Sequence, residues 1–197
     1  MRLWKSLDRA QRIFIALCGV FLVAAVIYTL RAEQEDTPMT NLEFFKSLDY
    51  EDGLGVVTGT LERFPLQYAA TLGLDGEPQL RPIEFKFEED GVLYFDTVEF
   101  YTSYAELQAH PYLQLCVCDP ETMTYLRLGG KANFTKDRRI IDRCFEESPV
   151  LTSQFGENRD VVIGYYLTKV WAEFNSFSEE LPSKAYSLPN KHDGPGA

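Results

Sequence analysis

The stretch YAATLGLDGEPQLRPIEFKFEEDGVLYFDT (Tyr68–Thr97) holds three short apolar runs separated by Asp75-Gly76 and by Glu89-Asp90-Gly91. Asp-Gly between runs of strand length is a strong hairpin signal, because glycine supplies the positive φ that a tight turn requires. The stretch reads as a three-stranded meander. In its middle strand a period of two places Arg81, Ile83, Phe85 and Phe87 on one face and Leu80, Pro82, Glu84 and Lys86 on the other. A cation thereby shares a face with aromatic side chains. Two readings of Arg81 stay open: a rim arginine with its apolar stem laid on the sheet, or a fixed cation for an anionic ligand.

Working outward, Glu99 to Leu107 is expected to be helical, with Ser103 and Glu106 at capping-box spacing. Strands are expected at Tyr112–Cys118, Met123–Phe134 and Val161–Phe177. Between the last two, residues 137–147 form a one-sided helix whose stripe is Ile140, Ile141, Cys144 and Phe145. On the amino-terminal side, Thr40 and Glu43 have capping-box spacing before Leu42, Phe44, Phe45 and Leu48. Leu54 to Leu61 is a β-prone run with several glycines and reads as an added hairpin or a rearranged first strand, followed by a turn at Glu62–Pro65. Many strands with few helices fit a small, mainly β barrel.

The order of these features resembles the pyridoxamine 5'-phosphate oxidase-like family of flavin-binding split barrels. The resemblance rests on a small-residue strand, a DG turn, the run Arg81-Pro82-x-x-Phe85, a second turn and a Leu93-Tyr-Phe95 strand. It continues through Tyr104–Pro111, Leu126–Phe134 and Ala172–Phe177, and covers roughly Thr40 to Leu188. What it implies is a homodimer holding flavin mononucleotide (FMN) at the subunit interface. Arg81, Lys131 and the hydroxyls of Thr97, Thr102 and Ser103 would hold phosphate and ribityl, with Pro82 beside them and Trp171 near the ring. In the family, one or two basic residues at the helix mouth meet the phosphate. Here Tyr101 and Ser103 occupy those places, and no cation occurs from Glu99 through Gln108. Each absent charge-assisted bond removes about 1.5 to 3 kcal/mol, or about tenfold or more in affinity.

The 197-residue chain fits one domain with appendages. Residues 1–12 form a short basic tail, and Ile13–Leu30 (IFIALCGVFLVAAVIYTL) runs for 18 residues without a charge. As a helix it spans roughly 27 Å, close to a bilayer core, and is expected to be a single-pass membrane anchor. A cleaved signal peptide fits less well, since its apolar region is shorter and no small-x-small site follows. Arg2, Lys5, Arg9 and Arg12 precede the span and only Arg31 follows closely, which places the domain outside the cytoplasm. Residues 31–38 read as an acidic tether, 39–188 as the domain and 189–197 as a mobile tail.

Beyond Arg31 the chain carries 14 basic and 29 acidic residues, a surface that repels phosphate backbones, so nucleic acid is not an expected partner. Cys116 and Cys118 share a strand face too far apart for a relaxed disulfide, and with Cys144 they read as buried apolar cysteines; no metal site is expected. In the last strand Tyr165, Tyr166, Trp171 and Phe174 are candidates for a ligand wall or dimer seam, with a core position the commoner use of such residues. No G-x-S-x-G, Walker loop, H-E-x-x-H or C-x-x-C motif is present, and the histidines are His110 and His192 only, so no catalytic residue is assigned. Two readings remain: a membrane-anchored FMN-dependent oxidoreductase on a small molecule, or a non-catalytic split barrel that has lost the phosphate-binding lysines and binds another ligand. Pyridoxamine 5'-phosphate oxidase activity itself needs a second phosphate cradle, and the carboxy-terminal SLPNKHDGPGA offers no basic segment for one.

Overall fold

Turn chemistry fixes the first hairpins. Gly76 (φ 85°) turns the chain between β1 (Gln67–Leu72) and β2 (Pro78–Ile83). Asp90 (φ 54°) and Gly91 (φ 80°) make the two-residue turn between β3 (Phe87–Glu89) and β4 (Val92–Val98), both with the positive φ of a primed hairpin turn. The computed structural model describes residues 38–156 and 158–193. Residues 1–37, with the expected membrane span at 13–30, lie outside the described residues. Among the described residues no helix is long and apolar enough to cross a membrane.

Helix α1 (Asn41–Ser47) begins directly after Thr40 and buries Phe45. The next element overturns an expectation: the glycine-bearing run at Leu54–Leu61 is not a strand but part of α2 (Gly53–Arg63). Asp52 caps it by accepting the Gly55 N–H at 3.0 Å, and Val56, Val57, Thr60 and Leu61 form an i, i+1, i+4, i+5 buried stripe. That stripe and cap outweigh the low helix propensity of valine and glycine.

Helix α3 (Thr102–Ala109) follows β4, then β5 (Tyr112–Asp119), β6 (Thr124–Thr135), α4 (Arg138–Glu147), α5 (Pro149–Phe155), β7 (Val162–Ser176) and β8 (Lys184–Leu188). The strands form one antiparallel sheet in the order β2-β1-β5-β6-β7-β4-β3, with β8 also on β7. Mainly β with few helices is therefore the observed class. The 15-residue β7 bridges the sheet, pairing β6 along its length, β4 with its first part and β8 with its last.

The meander expected at Tyr68–Thr97 is instead two hairpins at opposite ends of this order, because the middle strand breaks at Glu84–Lys86. Only three residues join β2 to β3, so the sheet ends lie within about 15 Å and the sheet curls to bring them together. The break also separates Phe85 from Phe87, which were expected on one face. Phe85 packs into the larger core with Phe45, Leu93, Phe95 and Phe174, while Phe87 joins Val92, Tyr94 and the α4 stripe in a second cluster. Strand β4 is the wall between them, sending Leu93 and Phe95 one way and Val92 and Tyr94 the other.

Two further expectations are corrected. On β5 the inward positions go to Leu113, Leu115 and Val117, so Cys116 is half-buried and Cys118 exposed; only Cys144 is buried, and all three are free. The tail is docked as far as Asp193. Lys169 sits at φ 54° beside the β6–β7 irregularity, and its N–H donates to Asp193 Oδ1 at 2.7 Å; Asn190 Nδ2 donates to the Leu167 carbonyl at 2.9 Å. Unpaired backbone groups at a bulge thus recruit the tail.

The strand break is held by Gln67, which is fully buried. Its Nε2 donates to the carbonyls of Leu61 (3.0 Å) and Phe64 (2.6 Å) at the end of α2, and its Oε1 accepts the Phe85 N–H at 2.7 Å. Replacing it strands three backbone groups, each costing about 1 to 3 kcal/mol when buried without a partner. Gln67→Leu should therefore lower unfolding free energy by about 3 kcal/mol or more, read as a reduced urea midpoint at unchanged slope. A loss below about 1 kcal/mol would show that the break does not depend on this side chain.

Candidate functional site

Where the two ends of the sheet meet, a cleft of about 650 Å³ opens. From β2 come Arg81 and Pro82, from the break Glu84 and Lys86, from β4 Asp96 and Thr97, and from the start of α3 Tyr101 and Ser103. Residues of α5, including Leu151 and Phe155, close its far wall. Five of the eight candidate residues, Arg81, Pro82, Thr97, Tyr101 and Ser103, thus converge although they come from three elements. Thr102 lines an adjoining hollow with Arg81 and Glu106. The other two lie elsewhere: Lys131 on β6 opposite Tyr112 and Thr168, and Trp171 on β7 in a separate hollow with Tyr112 and Leu72. The aromatics of β7 divide in the same way. Tyr165 and Phe174 are core, whereas Trp171 is half-buried with the Arg127 guanidinium 5.2 Å from its ring.

The expected capping box at the start of α3 does not form. Tyr101 is the cap and makes no side-chain capping bond, while the Ser103 hydroxyl lies 3.3 Å from that of Thr97. Glu106 has turned to another use. Its carboxylate, 2 % exposed, takes both arms of Arg81 (Nη1 to Oε2 at 2.5 Å, Nη2 to Oε1 at 3.1 Å) and the Thr71 hydroxyl at 2.6 Å. Two charge-assisted bonds in a fork exceed one reciprocal cap in strength. Arg81, 26 % exposed, is therefore neither a bare rim residue nor an unpaired cation.

Lys86, which the period of two puts on the face opposite Arg81, is buried beside the cleft, its side chain 3 % exposed. Its Nζ lies 2.5 Å from Glu84 Oε2 and 3.3 Å from Asp96 Oδ1, and the Ser148 hydroxyl donates to Glu84 Oε2 at 2.8 Å. Burial pushes the Asp96 carboxyl above the ordinary carboxylate range, against the pull of Lys86. Burial likewise pushes the adjacent Cys144 thiol up to about 12, so it stays protonated and unreactive. Sequence reading missed Lys86, Glu84, Asp96, Glu106 and Thr71. The available signal was Lys86 itself, a charge between Phe85 and Phe87 and hence set among residues that seek burial.

The sequence profile described as pyridoxamine 5'-phosphate oxidase matches residues 57–159, just over half of the chain. The chain belongs to this family. Solved structures agree at the level of the fold. A NimC/NimA family protein from Clostridium acetobutylicum is 21% identical, with 71% of this chain and 94% of that one covered at a TM-score of 0.62. A second protein from that organism, related to general stress protein 26 and described as of the pyridoxinephosphate oxidase family, is 14% identical over 72% and 97% at 0.56. General stress protein 26 of Bacillus anthracis is 13% identical over 66% and 95% at 0.52. No curated protein matches the sequence.

Pyridoxamine 5'-phosphate oxidase relatives raise the question of whether these residues suit FMN. Ring and ribityl find apolar walls and hydroxyls. The phosphate finds no unpaired cation: Arg81 and Lys86 face three carboxylates, Glu84, Asp96 and Glu106, so no positive charge is left over. Among the described residues no buried side-chain nitrogen or oxygen lacks a hydrogen-bond partner. For FMN the cleft thus offers apolar walls and hydroxyls but no unpaired cation.

The Arg81 hydrogen bonds hold the Glu106 carboxyl below the usual carboxylate range, with Thr71 adding to them against burial. The unfolded chain then takes up this proton at higher pH than the folded one, so the stabilisation is complete above the unfolded value, about 4.3, and is lost as pH falls through the depressed folded value. The melting temperature should fall on acidification below about pH 4.3, and Glu106→Gln should give a flatter profile over that window. Parallel profiles for the two proteins would refute the assignment.

Proposed function

We propose that this chain is a binding member of the pyridoxamine 5'-phosphate oxidase family, a split barrel whose cleft takes a small, unphosphorylated ring compound. The observation that carries this reading is the matching of both cleft cations by carboxylates within 3.3 Å. Apolar walls from Pro82, Ile83, Val98, Leu151 and Phe155 would hold the ring, and the hydroxyls of Thr97 and Ser103 its polar edge. The flavoenzyme reading draws support from the convergence of Arg81, Pro82, Thr97, Tyr101 and Ser103, with FMN supplying the redox chemistry when bound. The charge count favours the binding reading over it. Full-length protein purified in detergent without added flavin should be colourless, and riboflavin fluorescence should be quenched on titration with the parent but not with Ser103→Trp, which fills the cleft. A yellow preparation that releases FMN on denaturation would restore the flavoenzyme.

The anchor at 13–30 and an extracytoplasmic domain are part of the same proposal, as is a homodimer. The second copy would cover the outward face of β1, β2 and β5, where Tyr68, Leu72, Leu80 and Tyr112 are all exposed. An amine-reactive cross-linker that cannot pass membranes should trap a dimer on intact cells. Dimer formed only after the membrane is opened would reverse the topology, and monomer in both cases would remove the dimer.

A further inference from the structure

The geometry points to Glu106 as a specificity-determining residue: its carboxylate occupies, from within the chain, the anion position opposite Arg81 and so closes that end of the cleft to phosphate-bearing ligands. The inference deepens the binding reading and rests on the same cleft.

Three observations carry it. The first is the fork: both Arg81 nitrogens that a ligand oxyanion would use are engaged, at 2.5 and 3.1 Å, by the two oxygens of one carboxylate. The second is anchorage. Glu106 is 2 % exposed and is also held by the Thr71 hydroxyl, so the carboxylate is not a mobile side chain that an incoming anion displaces. The third is space. Arg81 belongs both to the large cleft and to the adjoining hollow lined by Gly73, Gln79 and Thr102, so the pair stands at the junction between the two. A dianion entering there meets a bound carboxylate rather than an unpaired guanidinium. Glu84 and Asp96, which both contact Lys86, leave no second cation to receive it.

The test uses inorganic phosphate with the full-length chain in detergent, followed by phosphorus NMR line broadening, so that it does not depend on any ring ligand. The parent should show no saturable binding at millimolar phosphate. Glu106→Gln keeps the side-chain volume and removes the charge, and should bind phosphate about tenfold or more tightly than the parent. Ser103→Lys, which leaves the pair intact and adds a cation at the mouth of α3, should gain phosphate affinity as well. Parent binding equal to that of folded Glu106→Gln overturns the inference, and so does a folded Glu106→Gln that gains nothing. Should Glu106→Gln fail to fold, Thr71→Val, which removes the hydroxyl that anchors the carboxylate, decides: a gain in phosphate affinity supports the inference, and no gain overturns it. Riboflavin quenching, measured alongside, tests the ring reading separately, because loss of ring binding with gain of phosphate binding leaves the role of Glu106 standing.

Discussion

The hydrogen bond from the Phe85 N–H to Gln67 Oε1 is the constraint on which the rest of the molecule turns. A strand continuing from Arg81 to Glu89 would pair along its whole length with β1 and β4 and give a flat meander. Removing the Phe85 donor from the ladder and tying it to a side chain ends β2 at Ile83, and the chain restarts as β3 four residues later. Because β2 and β3 then sit at the two ends of the strand order, a short link between them obliges the sheet to curl. The cleft is the seam of that curl. Arg81 arrives there from one end of the sheet, Asp96 and Thr97 from the other, and Lys86 from the link itself.

This geometry explains which parts of the fold were legible in the sequence. Turns and single elements were, because their causes are local: the Asp90-Gly91 turn, the long β7 and the Ile140–Phe145 stripe of α4 all follow from residues a few positions apart. The strand break was not, since Glu84–Lys86 contains neither glycine nor proline and the group that enforces it lies 18 positions away from Phe85. A period of two was therefore carried through a point where the chain changes partners. The error at Leu54–Leu61 has another origin. Valine, threonine and glycine in alternation satisfy a strand pattern, and only the coincidence of the Asp52 cap with the Val56, Val57, Thr60, Leu61 stripe separates the two states.

In the candidate site the sequence shows which residues can come together more readily than how their charges balance. Five of eight residues meet, because hydroxyls and prolines near turns and helix starts stay where local structure puts them. Cations are different, since what matters is the free charge, and a neighbour distant in sequence can cancel it. Glu106 is read from its own surroundings as the far end of a capping box, yet Arg81 lies only across the barrel wall and offers a stronger fork.

A physical reason follows for the balance of charge in this cleft. A partly buried guanidinium or ammonium without a counter-ion is costly, and a protein with a resident phosphate can leave such cations to the ligand. A chain whose cleft is empty for part of its life has to supply the anions itself. Here each cation has its own: Glu106 for Arg81, Glu84 and Asp96 for Lys86, with Thr71 and Ser148 as additional donors on the carboxylates. These three ion pairs are thus what a stable, unliganded form of this cleft requires. The absence of cations between Glu99 and Gln108 and the presence of Glu106 on α3 act in the same direction, since both lower the positive charge free at this end of the cleft.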